Sequence, residues 1–112
     1  MASKADPIRH LTPQDVQVLL KSDSIFLVDV REPAEFASER IGGAFLFPLS
    51  SFNAHAIPNG EVHDLVFCCG SGKRSLEAAQ RWLASGRPSV GNLDGGLAAW
   101  KRANLPVVTL SI

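Results

Sequence analysis

The reactive chemistry of this chain is concentrated in one segment, Cys68-Cys69-Gly70-Ser71-Gly72-Lys73-Arg74-Ser75. It follows a short apolar run, Leu65-Val66-Phe67, that reads as a buried strand, and it precedes a helical pattern beginning near Ser75. A thiol therefore stands where a strand ends and a helix begins, on a loop with two glycines and two cations. Glycines let such a loop curl so that successive backbone N–H groups point inward and form an anion cradle. The following helix directs its free N–H groups and its positive end at the same spot. These surroundings favour thiolate over thiol, and the thiolate is the nucleophile.

The elements that must position this loop can be read around it. Thr12-Pro13-Gln14-Asp15 is a helix start: Thr12 caps, Pro13 suits the first helical position and Asp15 favours the positive end. Val16, Leu19 and Leu20 then give an apolar stripe. Ile25-Phe26-Leu27-Val28 is a continuous apolar run, as expected of a strand buried on both faces. A short helix is expected over Pro33 to Glu39, then loop and a short strand within Ile41 to Pro48. Ser50 to Asp64 is irregular, with turn residues at Asn53, Pro58, Asn59 and Gly60. After the strand Leu65–Cys68, Leu76, Ala79, Trp82 and Leu83 line one helical face, and Gly86 stands where a cap belongs. Ser89 to Leu93 reads as a strand, and a helix beginning at Gly95-Gly96 ends before Pro106. Alternating strand and helix argue for an α/β domain with a mainly parallel sheet and helices on both faces. In such sheets ligands bind at the carboxyl ends of the strands, where Cys69 lies.

Composition agrees. The 112 residues make one domain, 46% of them are apolar, and eleven basic residues balance eleven acidic ones. Nothing in that balance calls for nucleic acid or a charged membrane surface as partner. No apolar run approaches the ~20 residues of a membrane span. Met1-Ala2-Ser3-Lys4-Ala5-Asp6-Pro7 lacks the apolar stretch of a signal peptide, so a cytoplasmic protein with reduced thiols is expected.

The other uses of a cysteine fare unequally. Strand alternation sends the Cys68 side chain to the face opposite Cys69, so Cys68 reads as a small buried apolar residue. A disulfide between neighbours fits poorly. No metal site is expected, because structural zinc wants four ligands while His10, His55 and His63 are scattered. Gly72-Lys73 lacks the upstream glycine of a phosphate-binding P-loop, and no protease signature surrounds the thiol. What remains is a thiolate in a backbone cradle, holding an anionic group or carrying a transferred atom.

At this point the chain resembles the rhodanese-like domain family. Cys69-Gly70-Ser71-Gly72-Lys73-Arg74-Ser75 is similar to its active-site loop of Cys, two residues, Gly, one residue, Arg, Ser. Val28-Asp29-Val30-Arg31-Glu32-Pro33-Ala34-Glu35-Phe36 resembles its Asp-x-Arg-Glu segment. Arg40-Ile41-Gly42-Gly43-Ala44 with Pro48-Leu49, and Leu93-Asp94-Gly95-Gly96-Leu97-Ala98-Ala99-Trp100, resemble two further family segments, in family order. The resemblance implies a single rhodanese-like domain over 1–112, with its core at about 8–107. It implies a sulfurtransferase in which Cys69 takes sulfane sulfur from thiosulfate or a protein persulfide. The N–H groups of Gly70, Ser71, Gly72, Lys73, Arg74 and Ser75 would hold the sulfur until cyanide or a thiol acceptor removes it. It implies no metal and no organic cofactor. Asp29 and Arg31 match the family's Asp-x-Arg and are expected to support the loop as an ion pair tying the first strand to a neighbouring loop. Trp100 and the glycines before it are expected to be packing residues.

There are two departures. Arg40 stands where the family often has His, and Glu35 stands where thiosulfate and mercaptopyruvate sulfurtransferases have an Arg near the substrate. A carboxylate there does not favour anionic thiosulfate, which makes a protein persulfide the more plausible donor. Two other readings stay open. Counted from Cys68, Arg74 follows five intervening residues, the spacing of Cys-based phosphatases and related arsenate reductases on the same fold. The domain could also be a non-catalytic interaction module.

Overall fold

The computed structural model describes residues 6–57 and 64–110. Pro58, Asn59, Gly60 and His63, named above as turn residues and a scattered histidine, lie outside the described residues, as do Met1 to Ala5 of the N-terminal segment.

Five strands, β1 (Ile8–Leu11), β2 (Ile25–Asp29), β4 (Phe45–Leu46), β5 (Asp64–Cys68) and β6 (Val90–Leu93), form one sheet in the order β1-β6-β5-β2-β4. Every pairing in it is parallel. Two-residue strands β3 (Glu39–Arg40) and β7 (Val108–Thr109) form a separate antiparallel ribbon. The helices are α1 (Pro13–Lys21), α2 (Pro33–Ser38), α3 (Lys73–Ala84) and α4 (Gly96–Arg102).

Local chemistry fixes the helix ends. Thr12 accepts from the Asp15 amide at 3.1 Å and Asp15 returns the favour to the Thr12 amide, also at 3.1 Å, a reciprocal cap. Asn53 caps a 3₁₀ turn over Ala54–Ala56 by accepting from the His55 amide at 3.0 Å. α2 stops at Ser38 rather than running into Glu39, because Glu39 is extended and begins β3. α3 starts at Lys73, two residues before the expected Ser75, because Gly72 at φ +102° turns the chain directly into the helix. At its other end Gly86 takes φ +87°, the left-handed cap read from the sequence.

Both sheet faces are covered. Val16 of α1 and Leu97 and Trp100 of α4 pack with Leu27, Val66, Cys68 and Leu93 on one face. Ala78, Ala79 and Trp82 of α3 pack with Val28, Phe67, Cys69 and Val90 on the other. Phe67 has no exposed surface and meets Phe52 and Trp82 edge-on, with ring centroids 5.7 and 6.0 Å away. Burying such a side chain stabilises by about 1.5–3 kcal/mol. β5 is thus clamped at the sheet's centre, and its C-terminal end is a rigid platform for the next residue, Cys69.

Candidate active site

The pleat separates the two cysteines. Cys68 lies in the cluster with Val66, and Cys69 in the cluster with Phe67. Burial pushes the Cys68 thiol well above its ordinary range. Its side chain is packed among apolar groups and does not enter the loop, so a register opening at Cys68 has no nucleophile in place.

Cys69 is different. The chain curls after it, and the Gly72 amide donates to Cys69 Sγ at 3.0 Å. This return needs the left-handed backbone of Gly72, and an added Cβ there would stand 3.2 Å from the Gly95 nitrogen. Cys69 Sγ lies 3.4 Å from Ser75 Oγ, and the Ser75 hydroxyl donates to the Gly72 carbonyl at 3.0 Å. Burial by itself would raise the Cys69 pKa. The amides of Ser75, Gly72 and Ser71, together with the Ser75 hydroxyl once its proton turns from the Gly72 carbonyl to the sulfur, outweigh it and bring the thiol below its ordinary value. Ser71, Gly72 and Ser75 are therefore gathered around one sulfur atom.

The two loop cations separate. Lys73 is exposed, as the first residue of α3. Arg74 forks onto Glu35, Nη1 to Oε1 at 2.7 Å and Nη2 to Oε2 at 3.0 Å. Its guanidinium lies over the loop, 3.4 Å from where a Cβ on Gly70 would sit. Arg74 holds the Glu35 carboxyl down at about 2, with help from the Glu32 amide. Glu35 thus stands beside the loop, neutralising the cation that would otherwise face an incoming anion. No spacing in the sequence signals this pairing, because its partners lie 39 residues apart.

Asp29 and Arg31 come together, both buried. Arg31 Nη2 donates to Asp29 Oδ2 at 2.9 Å and to the Glu39 carbonyl at 2.6 Å, while its Nε bonds both Asp29 oxygens at 3.1 Å. The pair closes the turn after β2 and ties it to β3. The strand that carries it is the second in the chain, not the first as expected, because β1 precedes it. Since Asp29 is in register with Cys68, the turn abuts the loop, with Arg31 Cδ 4.0 Å from the Cβ position of Gly70.

Sequence reasoning took Gly95 and Gly96 for packing residues and overlooked the amides behind them. Leu97 N–H donates to the Cys69 carbonyl at 2.8 Å, and Ala98 N–H to the Gly70 carbonyl at 3.0 Å. The glycine doublet was the available signal, since paired glycines mark a close backbone approach. His10 is half-exposed with Nδ1 2.9 Å from Asp94 Oδ1, and His55 is exposed. An apolar cavity of about 210 Å³ lies elsewhere, against Leu20, Trp100, Pro106 and Val108. No helix among the described residues is long and apolar enough to cross a membrane.

An all-parallel sheet with a thiol cradled at the end of its central strand defines the class. A family model for the rhodanese-like domain matches residues 12–103, and the chain belongs to that family. It is 41% identical over 108 residues to the uncharacterized protein slr1261 of Synechocystis, covering 96% of this chain and 60% of that protein's length. It is 35% identical to the thiosulfate sulfurtransferase GlpE of Shewanella oneidensis, covering 86% of this chain and 95% of that one. A rhodanese-related protein from Thermoplasma volcanium superposes with TM-score 0.78 at 24% identity, over 89% of this chain and 97% of that one. A Rhodopseudomonas palustris protein described as a possible tyrosine phosphatase superposes with TM-score 0.75 at 28% identity, over 90% and 85%.

Proposed function

We propose that this domain is a sulfurtransferase that carries sulfane sulfur as a persulfide on Cys69. The observation that carries the reading is the convergence on Cys69 Sγ, where the Gly72 amide donates at 3.0 Å and the Ser75 hydroxyl lies 3.4 Å away. The Cys69 thiolate attacks the outer sulfur of a donor. The new Sγ–S bond forms as the donor's S–S bond breaks, and the leaving group, sulfite from thiosulfate or a thiolate from a persulfide, departs with the electron pair. The terminal sulfur then carries the negative charge, and the inward loop amides stabilise it. Cyanide or a thiolate attacks that sulfur, the Sγ–S bond breaks, and the Cys69 thiolate is restored. No electron is gained or lost overall.

The donor follows from the charge at the loop mouth. Glu35 occupies Arg74, so a persulfide on a protein or small organic thiol suits the site better than the thiosulfate dianion. Thiosulfate remains the convenient assay donor. A thiol acceptor in the cytoplasm, where thiols stay reduced, completes the cycle.

The structural likeness to a protein described as a possible tyrosine phosphatase keeps a second reading in play. Only four residues separate Cys69 from Arg74, and Arg74 is forked onto Glu35. A phosphoryl group needs a donor for each equatorial oxygen and a free guanidinium to clamp it. Thiosulfate:cyanide transfer and aryl phosphate hydrolysis measured side by side separate the readings. The wild type is expected to produce thiocyanate and leave aryl phosphates intact. Cys69→Ser should lose the transfer, and Cys68→Ser should keep most of it. Phosphate hydrolysis without sulfur transfer would overturn the assignment, and neither activity in folded protein would favour an interaction module.

A further inference from the structure

The start of α4 is the second half of the Cys69 loop. Leu97 and Ala98 are the second and third residues of α4, whose opening amides have no partner inside the helix. Gly95, at the cap position, has no side chain to offer them. They bond instead to the carbonyls of Cys69 at 2.8 Å and Gly70 at 3.0 Å. A peptide unit is planar and trans, so its C=O and N–H point in opposite directions. Holding those two carbonyls toward α4 turns the N–H groups of Gly70 and Ser71 away from it.

The fit leaves no room for a side chain at Gly96. An added Cβ would stand 2.8 Å from the Gly70 carbonyl carbon and 2.9 Å from its oxygen, and nearer still to the Cys69 oxygen. Those atoms are backbone, so the loop itself would have to move. We propose that Gly96, through the Leu97 and Ala98 amides, is a positioning residue that orients the loop N–H groups toward the Cys69 sulfur. The proposal deepens the sulfur-carrier reading of the site. Its test needs no sulfur donor, so it can fail while that reading stands.

The experiment compares two glycine variants in the full chain, each carrying Cys68→Ser. Gly96 has φ +60° and Gly86 has φ +87°, so alanine strains the backbone at both, but a Cβ at Gly86 meets nothing within 4 Å. The readout is the pH profile of Cys69 alkylation by iodoacetamide. With Gly96→Ala, the midpoint should rise toward the ~8.5 of a free thiol, and the rate at pH 7 should fall about tenfold, as for a lost hydrogen bond to a charged group. Gly86→Ala should lower thermal stability and leave the midpoint unchanged. A folded Gly96→Ala protein with the parent midpoint would overturn the proposal, as would an equal shift in Gly86→Ala. Should Gly96→Ala fail to fold, an amide-to-ester replacement at Leu97 decides. It deletes the N–H bonded to the Cys69 carbonyl and keeps the side chain. A raised midpoint then supports the assignment, and an unchanged one refutes it.

Discussion

Replacing Glu35 by Gln should make the protein a better user of free thiosulfate. The carboxylate forks onto Arg74 at 2.7 and 3.0 Å, and the two groups cancel at the mouth of the loop. With the carboxyl held at about 2, it is ionised throughout any assay range. Glutamine removes the charge and one arm of the fork, since its NH2 takes the place of Oε2 and cannot accept from Arg74 Nη2. Its amide oxygen can still accept from Arg74 and from the Glu32 amide, which Glu35 bonds at 3.0 Å as part of the α2 cap. Glu35→Arg would add charge too, but would set two guanidinium groups against each other and remove the cap. The side chains of the pair are 39% and 40% exposed, so its loss should cost no more than about 1 kcal/mol of stability. For the donor, two unit charges near 4 Å attract by about 1 kcal/mol in water, and a dianion doubles that. Between about 1 and 2 kcal/mol corresponds to a roughly five- to thirtyfold lower KM at low ionic strength. The gain should shrink as salt is raised to ~0.15 M, where charges are screened over about 8 Å. Because Glu35 does not touch the sulfur, kcat should hold nearly constant. The assay is thiocyanate formation against thiosulfate concentration at low and high salt, with an organic persulfide as comparison donor, whose single negative charge should give a smaller gain than the thiosulfate dianion. A folded Glu35→Gln protein with the wild-type KM for thiosulfate at low salt would refute the reasoning.

Three further outcomes are expected. Arg31→Ala leaves the Asp29 carboxylate buried without its partner, so denaturant unfolding should show a loss of about 3–5 kcal/mol; full stability with lost transfer would make Arg31 a substrate ligand instead. The hydrogen bond to Asp94 raises the His10 pKa, so its contribution should be complete below the unfolded value of 6.5 and vanish as pH climbs through the raised one. Thermal melts should therefore show His10→Ala less stable than wild type at pH 5.5 and equal to it at ~pH 9; an equal deficit at both would deny the linkage. The alkylation profile of Cys69 in Cys68→Ser should have its midpoint below the ~8.5 of a free thiol, since the Ser75 hydroxyl and the loop amides outweigh burial; a midpoint above it would dismantle the anion cradle.

What the sequence disclosed was what local rules govern. The division of labour between Cys68 and Cys69 is pure strand alternation, and it was legible once Leu65 to Cys68 read as a strand. The αL glycine at Gly86 and the Thr12 cap are equally local. β1 escaped notice because Ile8-Arg9-His10-Leu11 carries two polar residues among four, as sheet edges do. β3 and β7 have two residues each, too few for any periodicity to register. Asp29 and Arg31 stand two residues apart, so their pairing was within reach. The Glu35–Arg74 fork and the meeting of α4 with Cys69 and Gly70 were not. Each joins segments that only the order of strands in the sheet brings together, and charge or glycine content alone names no partner.

The central claim, that Cys69 carries sulfur, is tested most directly by intact mass. Wild-type protein and Cys68→Ser, treated with thiosulfate under non-reducing conditions, should each gain the mass of one sulfur atom. Cyanide should remove that mass and release one equivalent of thiocyanate, while Cys69→Ser should gain nothing. A sulfur adduct that persists in folded Cys69→Ser, or its absence from the wild type after treatment with both thiosulfate and an organic persulfide, would contradict the account.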